Sequence, residues 1–279
     1  MSCNTLTRGL NPTCLALKKP GGVNKRVWVG MLDDLSGVTF GASGINRVIA
    51  FAFEATKGFS QFIGKREKHN GTMAIEVSEN RVLRNHAGNL VLYYNTGEEL
   101  GTIEELLDAE GVFIVFETKA GQLEVWGLNK GSNFQDFGMK AASLEGGTGT
   151  VLTDNNNYVL GLSGLHENLE LLYQVADISE AVTGVTSANP SVITVADSTG
   201  FAVDDFLTFS ALNGNQTISG NPINGQSVQI LAVTATTITV NANVVGATPA
   251  TSGNVVRVGT LDDGITALNA QTIYPSTPI

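Results

Sequence analysis

Charge is what this chain has least of. Only 15% of its 279 residues are Asp, Glu, Lys or Arg, against roughly 25% in an ordinary soluble domain. Bases are the scarcer kind: 16 Lys plus Arg against 26 acids give a formal net charge of -10. That balance argues against a protein that grips nucleic acid through a basic face. Cysteine is nearly absent. Cys3 and Cys14 stand close enough for a small local disulfide, but in a reducing cytosol they are expected as free thiols. Long apolar runs are missing too. The densest, Val48 to Phe53 and Val112 to Phe116, are strand-sized, well short of the roughly 20 residues of a membrane helix. The first residues, Met1-Ser2-Cys3-Asn4-Thr5, lack the apolar centre of a secretory signal, so cytosolic synthesis and assembly are expected.

What the chain does have is glycine and enough apolar residues for a core, 32 Gly and 42% hydrophobic content. Together they indicate a globular, turn-rich chain. Its texture changes near residue 179: positions 1–178 carry 15 of the bases and 20 of the acids, whereas positions 179–279 carry one base, Arg257, and six acids. The second part is rich in Thr, Val, Asn and Gly. This divides the chain into a first domain over 1–178, a linker over 179–190, a small β module over 191–260 and a tail over 261–279 that orders on a partner.

Apolar residues in the first part recur with a period of two, which predicts β-strands. Val27, Val29 and Met31 share one face, as do Ile49, Phe51 and Phe53. A long hairpin is expected from Phe59 to Arg84, turning at Asn70-Gly71. Beyond that turn Met73, Ile75 and Val77 would face a core, and Thr72, Ala74, Glu76, Ser78 and Asn80 would face outward. One helix is expected from Thr102 to Glu110, with Thr102 and Glu105 as a capping box and Gly111 as its stop. Val112 to Glu117 and Leu123 to Leu128 read as a central hairpin, and Tyr158 to Gly164 with Glu170 to Val175 as a closing pair. The first domain is therefore expected to be mainly β, an antiparallel sandwich or barrel with one short α-helix. In the second part, segments at Val192, Phe206, Val228, Thr237 and Val255 predict a second all-β domain of the Ig-like or small-barrel kind, with an exposed Asn- and Gly-rich loop over Asn213 to Gln226.

Chemistry has little foothold. Gly58 to Lys65 looks like a phosphate-binding loop, but its spacing is one residue too long, Arg66 replaces the hydroxyl residue, and no helix follows. The Gly146 to Gly149 stretch reads as a flexible loop. His69, His86 and His166 fall in turns without zinc-site spacing, and a triad built on Ser163 and His166 has no nucleophile-elbow context. Asp33-Asp34, Asp204-Asp205 and Asp262-Asp263 lack the ligand pattern of a calcium loop and read as turn or capping residues. No catalytic residue, cofactor or metal is expected, and the chain is not expected to be an enzyme.

The hairpin Phe59 to Arg84, the inserted helix, and the strands Tyr158 to Gly164 and Glu170 to Val175 together resemble the phage tail tube protein family. So does the start with Cys3 and Cys14. Val192 to Asp205 and Val233 to Val240 resemble the small β modules that decorate virion proteins. The resemblance implies a structural virion protein whose copies form rings, typically hexameric. Hairpins from each copy would join into a continuous β-barrel, and rings would stack into a conduit for DNA. Glu76, Ser78 and Asn80 are then the candidate lumen-facing residues, on an acidic wall. The implied partners are other copies of the chain and other tail or head-completion proteins; DNA passes without specific binding, and no membrane is involved. The alternative is a head decoration, collar or adhesion protein.

Overall fold

The computed structural model describes residues 22–42, 45–63, 68–78, 81–93, 97–131, 134–135, 137–147, 157–246 and 248–274. Cys3, Cys14, Asn80 and Asp154 lie outside them. Among the described residues the fold is mainly β, with two helices and several largely antiparallel sheets that include a closed barrel. It divides into two compact units. One comprises 1–174 together with 264–279, the other 175–263.

The first unit is built on an eight-stranded sheet and a four-stranded sheet. The larger contains β1 (Val23–Met31), β2 (Leu35–Phe40), β3 (Arg47–Phe53) and β4 (Phe59–Ile63). The smaller begins with β5 (Asn70–Ser78) and β6 (Arg81–Tyr93). Helix α1 (Gly97–Asp108) follows, then β7 (Val112–Thr118) and β8 (Leu123–Trp126) in the larger sheet. β9 (Lys140–Gly147) and β10 (Asn157–His166) belong to the smaller sheet, and β11 (Leu171–Tyr173) returns to the larger. The smaller sheet has the order β5-β6-β10-β9 with antiparallel neighbours throughout. β7 is buried along its whole length, as its two-faced apolar sequence requires. Between the sheets lies a core of Val27, Val29, Leu90, Leu92, Ile114, Phe116, Trp126, Leu160 and Leu162, closed at one end by Ile103 and Leu106 of α1.

The second unit contains β12 (Ile178–Val185), β13 (Ser191–Val195), β14 (Phe206–Ser210), β15 (Thr217–Ile218), β16 (Asn221–Pro222), β17 (Ser227–Val233), β18 (Thr237–Val240), β19 (Val244–Val245) and β20 (Asn254–Arg257). Six of these close a barrel in the order β12-β13-β18-β17-β14-β20. Ile193, Leu207, Phe209, Ile230, Ile238, Val240 and Val255 fill it. Its one base, Arg257, is buried. Arg257 Nη1 donates to Asp263 at 2.7 Å, and its Nε lies 3.4 Å from Asp205.

The last described elements are helix α2 (Leu261–Ala270) and strand β21 (Thr272–Tyr274). Thr260 and Asp263 exchange hydrogen bonds at its start, Thr260 N–H to Asp263 Oδ2 at 2.7 Å and Asp263 N–H to Thr260 Oγ1 at 3.2 Å, a reciprocal cap. Leu268 is buried, Asn269 Oδ1 accepts from Trp28 Nε1 at 3.3 Å, and β21 pairs in parallel with β4 at the edge of the larger sheet. The helix lies on the side of that sheet where Phe51 meets Phe59, Phe113 and Tyr173, with ring centroids 5.2 to 5.3 Å apart.

These elements correct several expectations. Positions 261–274 form a helix and an edge strand rather than a tail, and positions 275–279 lie outside the described residues. The proposed linker, 179–190, is mostly barrel strand β12. Helix α1 starts at Gly97, so Thr102 is not its cap; the Thr102 hydroxyl donates to Glu98 O at 3.1 Å inside the helix. The hairpin does not turn at Asn70-Gly71. Both residues are in β5, neither has positive φ, and a Cβ on Gly71 would stand 2.9 Å from the Trp126 ring. Gly71 is there for close packing, and the connection between β5 and β6 falls at positions 79–80. Gly146 and Gly147, expected in a loop, end strand β9. Tyr158 to Gly164 and Leu171 to Tyr173 lie in different sheets and do not pair.

Candidate assembly surface

Alternation divides the residues of the β5–β6 hairpin between two faces. Direct opposition in register places Met73, Ile75 and Val77 of β5 with His86, Arg84 and Val82 of β6 on one face. Further down β6 that face continues through Gly88, Leu90 and Leu92 into the core. Sequence alternation predicts the side correctly, but the core ends before the hairpin does. Ile75 is 67% exposed, Val77 76%, Val82 51% and Met73 36%. An apolar stripe thus runs out of the core into open surface, where each side chain forgoes part of the roughly 1.5–3 kcal/mol that full burial supplies.

The opposite face of the sheet buries one apolar side chain, Val91 opposite Val159, exposes Leu165, and is otherwise mostly polar or small. Thr72, Ala74 and Glu76 of β5 share it with Leu83, Asn85, Ala87 and Asn89 of β6, Gly161 and Ser163 of β10, and Lys140, Ser143 and Glu145 of β9. Glu76 is exposed, and its Oε1 accepts from Asn85 Nδ2 at 3.2 Å. Ser78 pairs in register with Arg81 at the end of β5, and Asn80 lies outside the described residues. On this face Lys140 accompanies the acids Glu76 and Glu145.

Both edges of this sheet are open. Among the described residues neither β5 nor β9 has a second partner strand. β5 pairs with β6 over nine residues without a bulge, and it contains no Pro or Lys. Apart from the charge of Glu76, it therefore lacks the usual devices that blunt an exposed edge.

The three histidines are buried, not in exposed turns. His86 and His166 lie on the core face with ring centroids 4.4 Å apart, and His86 meets the Trp126 ring at 5.3 Å. Gly127 N–H donates to His86 Nδ1 at 3.3 Å while Nε2 donates to Asn168 O at 3.0 Å, which fixes a neutral ring. His69 Nδ1 accepts from Val91 N–H at 3.2 Å. Neither ring nitrogen of His166 has a hydrogen-bond partner. Burial lowers all three pKa values, to about 4 for His69 and about 3 for His166, the latter helped by His86. Burial also raises that of Glu124 in the same cluster, whose Oε2 accepts from Trp126 Nε1 at 3.4 Å. The signal was in the sequence: His86, Gly88, Leu90 and Leu92 share one alternation.

Ser163 and His166 fall on opposite faces of β10, so they form no dyad. A cleft of about 550 Å³ gathers Asp33, Asp34, Glu105, Asp108 and Glu110 around Lys57. Its acids are exposed except for half-buried Asp34, which pairs with Lys57 at 2.9 Å. This differs from the buried, raised-pKa acid that an acid–base pair requires. Among the described residues no three His, Cys, Asp or Glu side chains could hold a metal ion, and no helix is long and apolar enough to cross a membrane. No protein-family model matches the chain, and no curated protein matches its sequence.

Proposed function

We propose that the chain is a structural virion protein, a tail tube subunit whose copies close into rings and stack into a conduit for phage DNA. The observation that carries this reading is the open four-stranded sheet. Its even number of alternating strands makes its two edges, β5 and β9, run in opposite directions. Copies set side by side therefore continue the antiparallel order across every junction, whatever the number of copies. Barrels of roughly 16 or more strands leave an open channel, and six copies of a four-stranded sheet exceed that.

One face of the sheet is committed to its own core, so the polar face with Glu76 lines the lumen. Small side chains, amides, Leu83, Leu165 and scattered charges offer no cluster of cations to hold a phosphate backbone, and DNA moves past without being gripped. Assembly occurs in the host cytoplasm, and the other partners are tail or head-completion proteins at the ends of the tube. Electron microscopy of the purified protein tests this reading. Rings or tubes with an open lumen are expected, and dispersed single copies at every concentration would overturn it.

A further inference from the structure

If copies close through this sheet, the structure also specifies the register of the junction. At the hairpin end the strands stop at successively higher levels. Lys140, the first residue of β9, is level with Thr72 through the pairs Lys140↔Ser163, Ser163↔Ala87 and Ala87↔Thr72. β10 ends at His166, opposite Arg84 and thus level with Ile75, and β5 continues to Ser78. This climb from β9 to β5 is what tilted strands show when the rim of their barrel is level. A closed barrel staggers its strands by about one residue each, so crossing one copy shifts the register by about four. The direction of the climb gives the shift its sign, and an even shift keeps the two faces aligned.

Moving Lys140 up by that amount brings it from the level of Thr72 to that of Glu76, both on the polar face. On the other face the same shift, counted through the bulge in β9, sets Ala141 beside Ile75 and exposed Leu144 beside Met73. Charge meets opposite charge, and apolar meets apolar, from a shift chosen for neither. Helix α1 contacts β9 within each copy, and both Ala141 of β9 and Leu107 of α1 pack on the core face. Pairing β9 to a neighbour's β5 would bring the attached α1 toward the stripe left bare there.

We propose that β9 of one copy pairs antiparallel with β5 of the next, Lys140 against Glu76 and Leu144 against Met73, and that the same neighbour's α1 covers Ile75 and Val77. This rests on the ring reading above and adds the junction to it. The test uses Glu76→Cys with Lys140→Cys in a chain whose Cys3 and Cys14 are replaced by Ser. Oxidation of assembled protein is expected to give a ladder of covalent oligomers on a non-reducing gel. Val77→Cys with Lys140→Cys, on opposite faces, is expected to give none. A companion pair reads the same contact without a disulfide: Glu76→Lys raises the concentration for half-assembly about tenfold, and adding Lys140→Glu restores it. Rings that form without the ladder and without the charge rescue would overturn the junction while leaving the ring reading intact. Failure of the unsubstituted chain to form rings would overturn both.

Discussion

The six-stranded barrel of the second unit and the four-stranded sheet of the first solve the same problem differently. Both are antiparallel, and both present one apolar face to a core. The barrel pairs its last strand with its first, so its strands have no free edge and Ile193, Ile230, Ile238 and Val240 are sealed inside. Almost without bases, it needs only buried Arg257, whose hydrogen bonds with those of Thr260 outweigh burial and hold the Asp263 carboxyl down to about 2. The sheet of the first unit stops at four strands, leaves β5 and β9 unpaired, and exposes Ile75 and Val77. A closed sheet is complete within one chain. An open one with an uncovered apolar face offers its edges for pairing, and the alternation of strand direction makes another copy a suitable partner for it.

The contrast is broken most severely by Ile75→Asp together with Val77→Asp. Both positions are largely solvent-exposed in the single copy, so its unfolding free energy should fall by only about 1–2 kcal/mol for the two together. Assembly followed by sedimentation should weaken at least about a hundredfold, since charges would be buried at the junction. Next in size is the response to acid, which should separate the two units. The histidines of the first unit are neutral when folded and have pKa values below the unfolded value of about 6.5, so the unfolded chain takes up protons first. Stability of that unit is complete above about pH 6.5 and lost as pH falls toward 4 and below. The barrel contains no histidine and should hold until pH falls below about 4, where Asp263 begins to lose its contribution. Urea unfolding followed region by region by hydrogen exchange measures both, and His166→Phe should flatten the first curve. Smaller is Ile193→Ala, which should cost the barrel about 3 kcal/mol in the same unfolding measurement and leave ring formation unchanged.

How much of this was legible in the sequence depended on what each segment had to bury. The barrel strands at Val192, Phe206, Val228, Thr237 and Val255 were found within a residue or two, because β-branched alternation between turn formers has few other readings. β9 was missed because Lys-Ala-Ala-Ser-Leu-Glu-Gly-Gly carries almost no β-preferring side chain; it is held by its pairing with β10. The expectation of a tail from Leu261 overlooks the cap that Thr260 and Asp263 form at the right spacing. Asn70-Gly71 carries a strong local turn signal, and tertiary packing overrode it by using Gly71 for contact with Trp126. Of the candidate lumen residues, Glu76 stands on the polar face as alternation requires. The fate of the opposite face was not legible. Met73, Ile75 and Val77 follow the pattern of a core strand, and nothing local says where the core stops.

The claim that the open sheet is completed between copies is tested most directly by amide hydrogen exchange on dispersed and assembled protein. The account predicts that amides of β5 and β9 gain protection of at least about a hundredfold on assembly, as new ladder hydrogen bonds form, while those of the β12–β20 barrel do not change. Unchanged exchange in both β5 and β9 within assembled particles would contradict it.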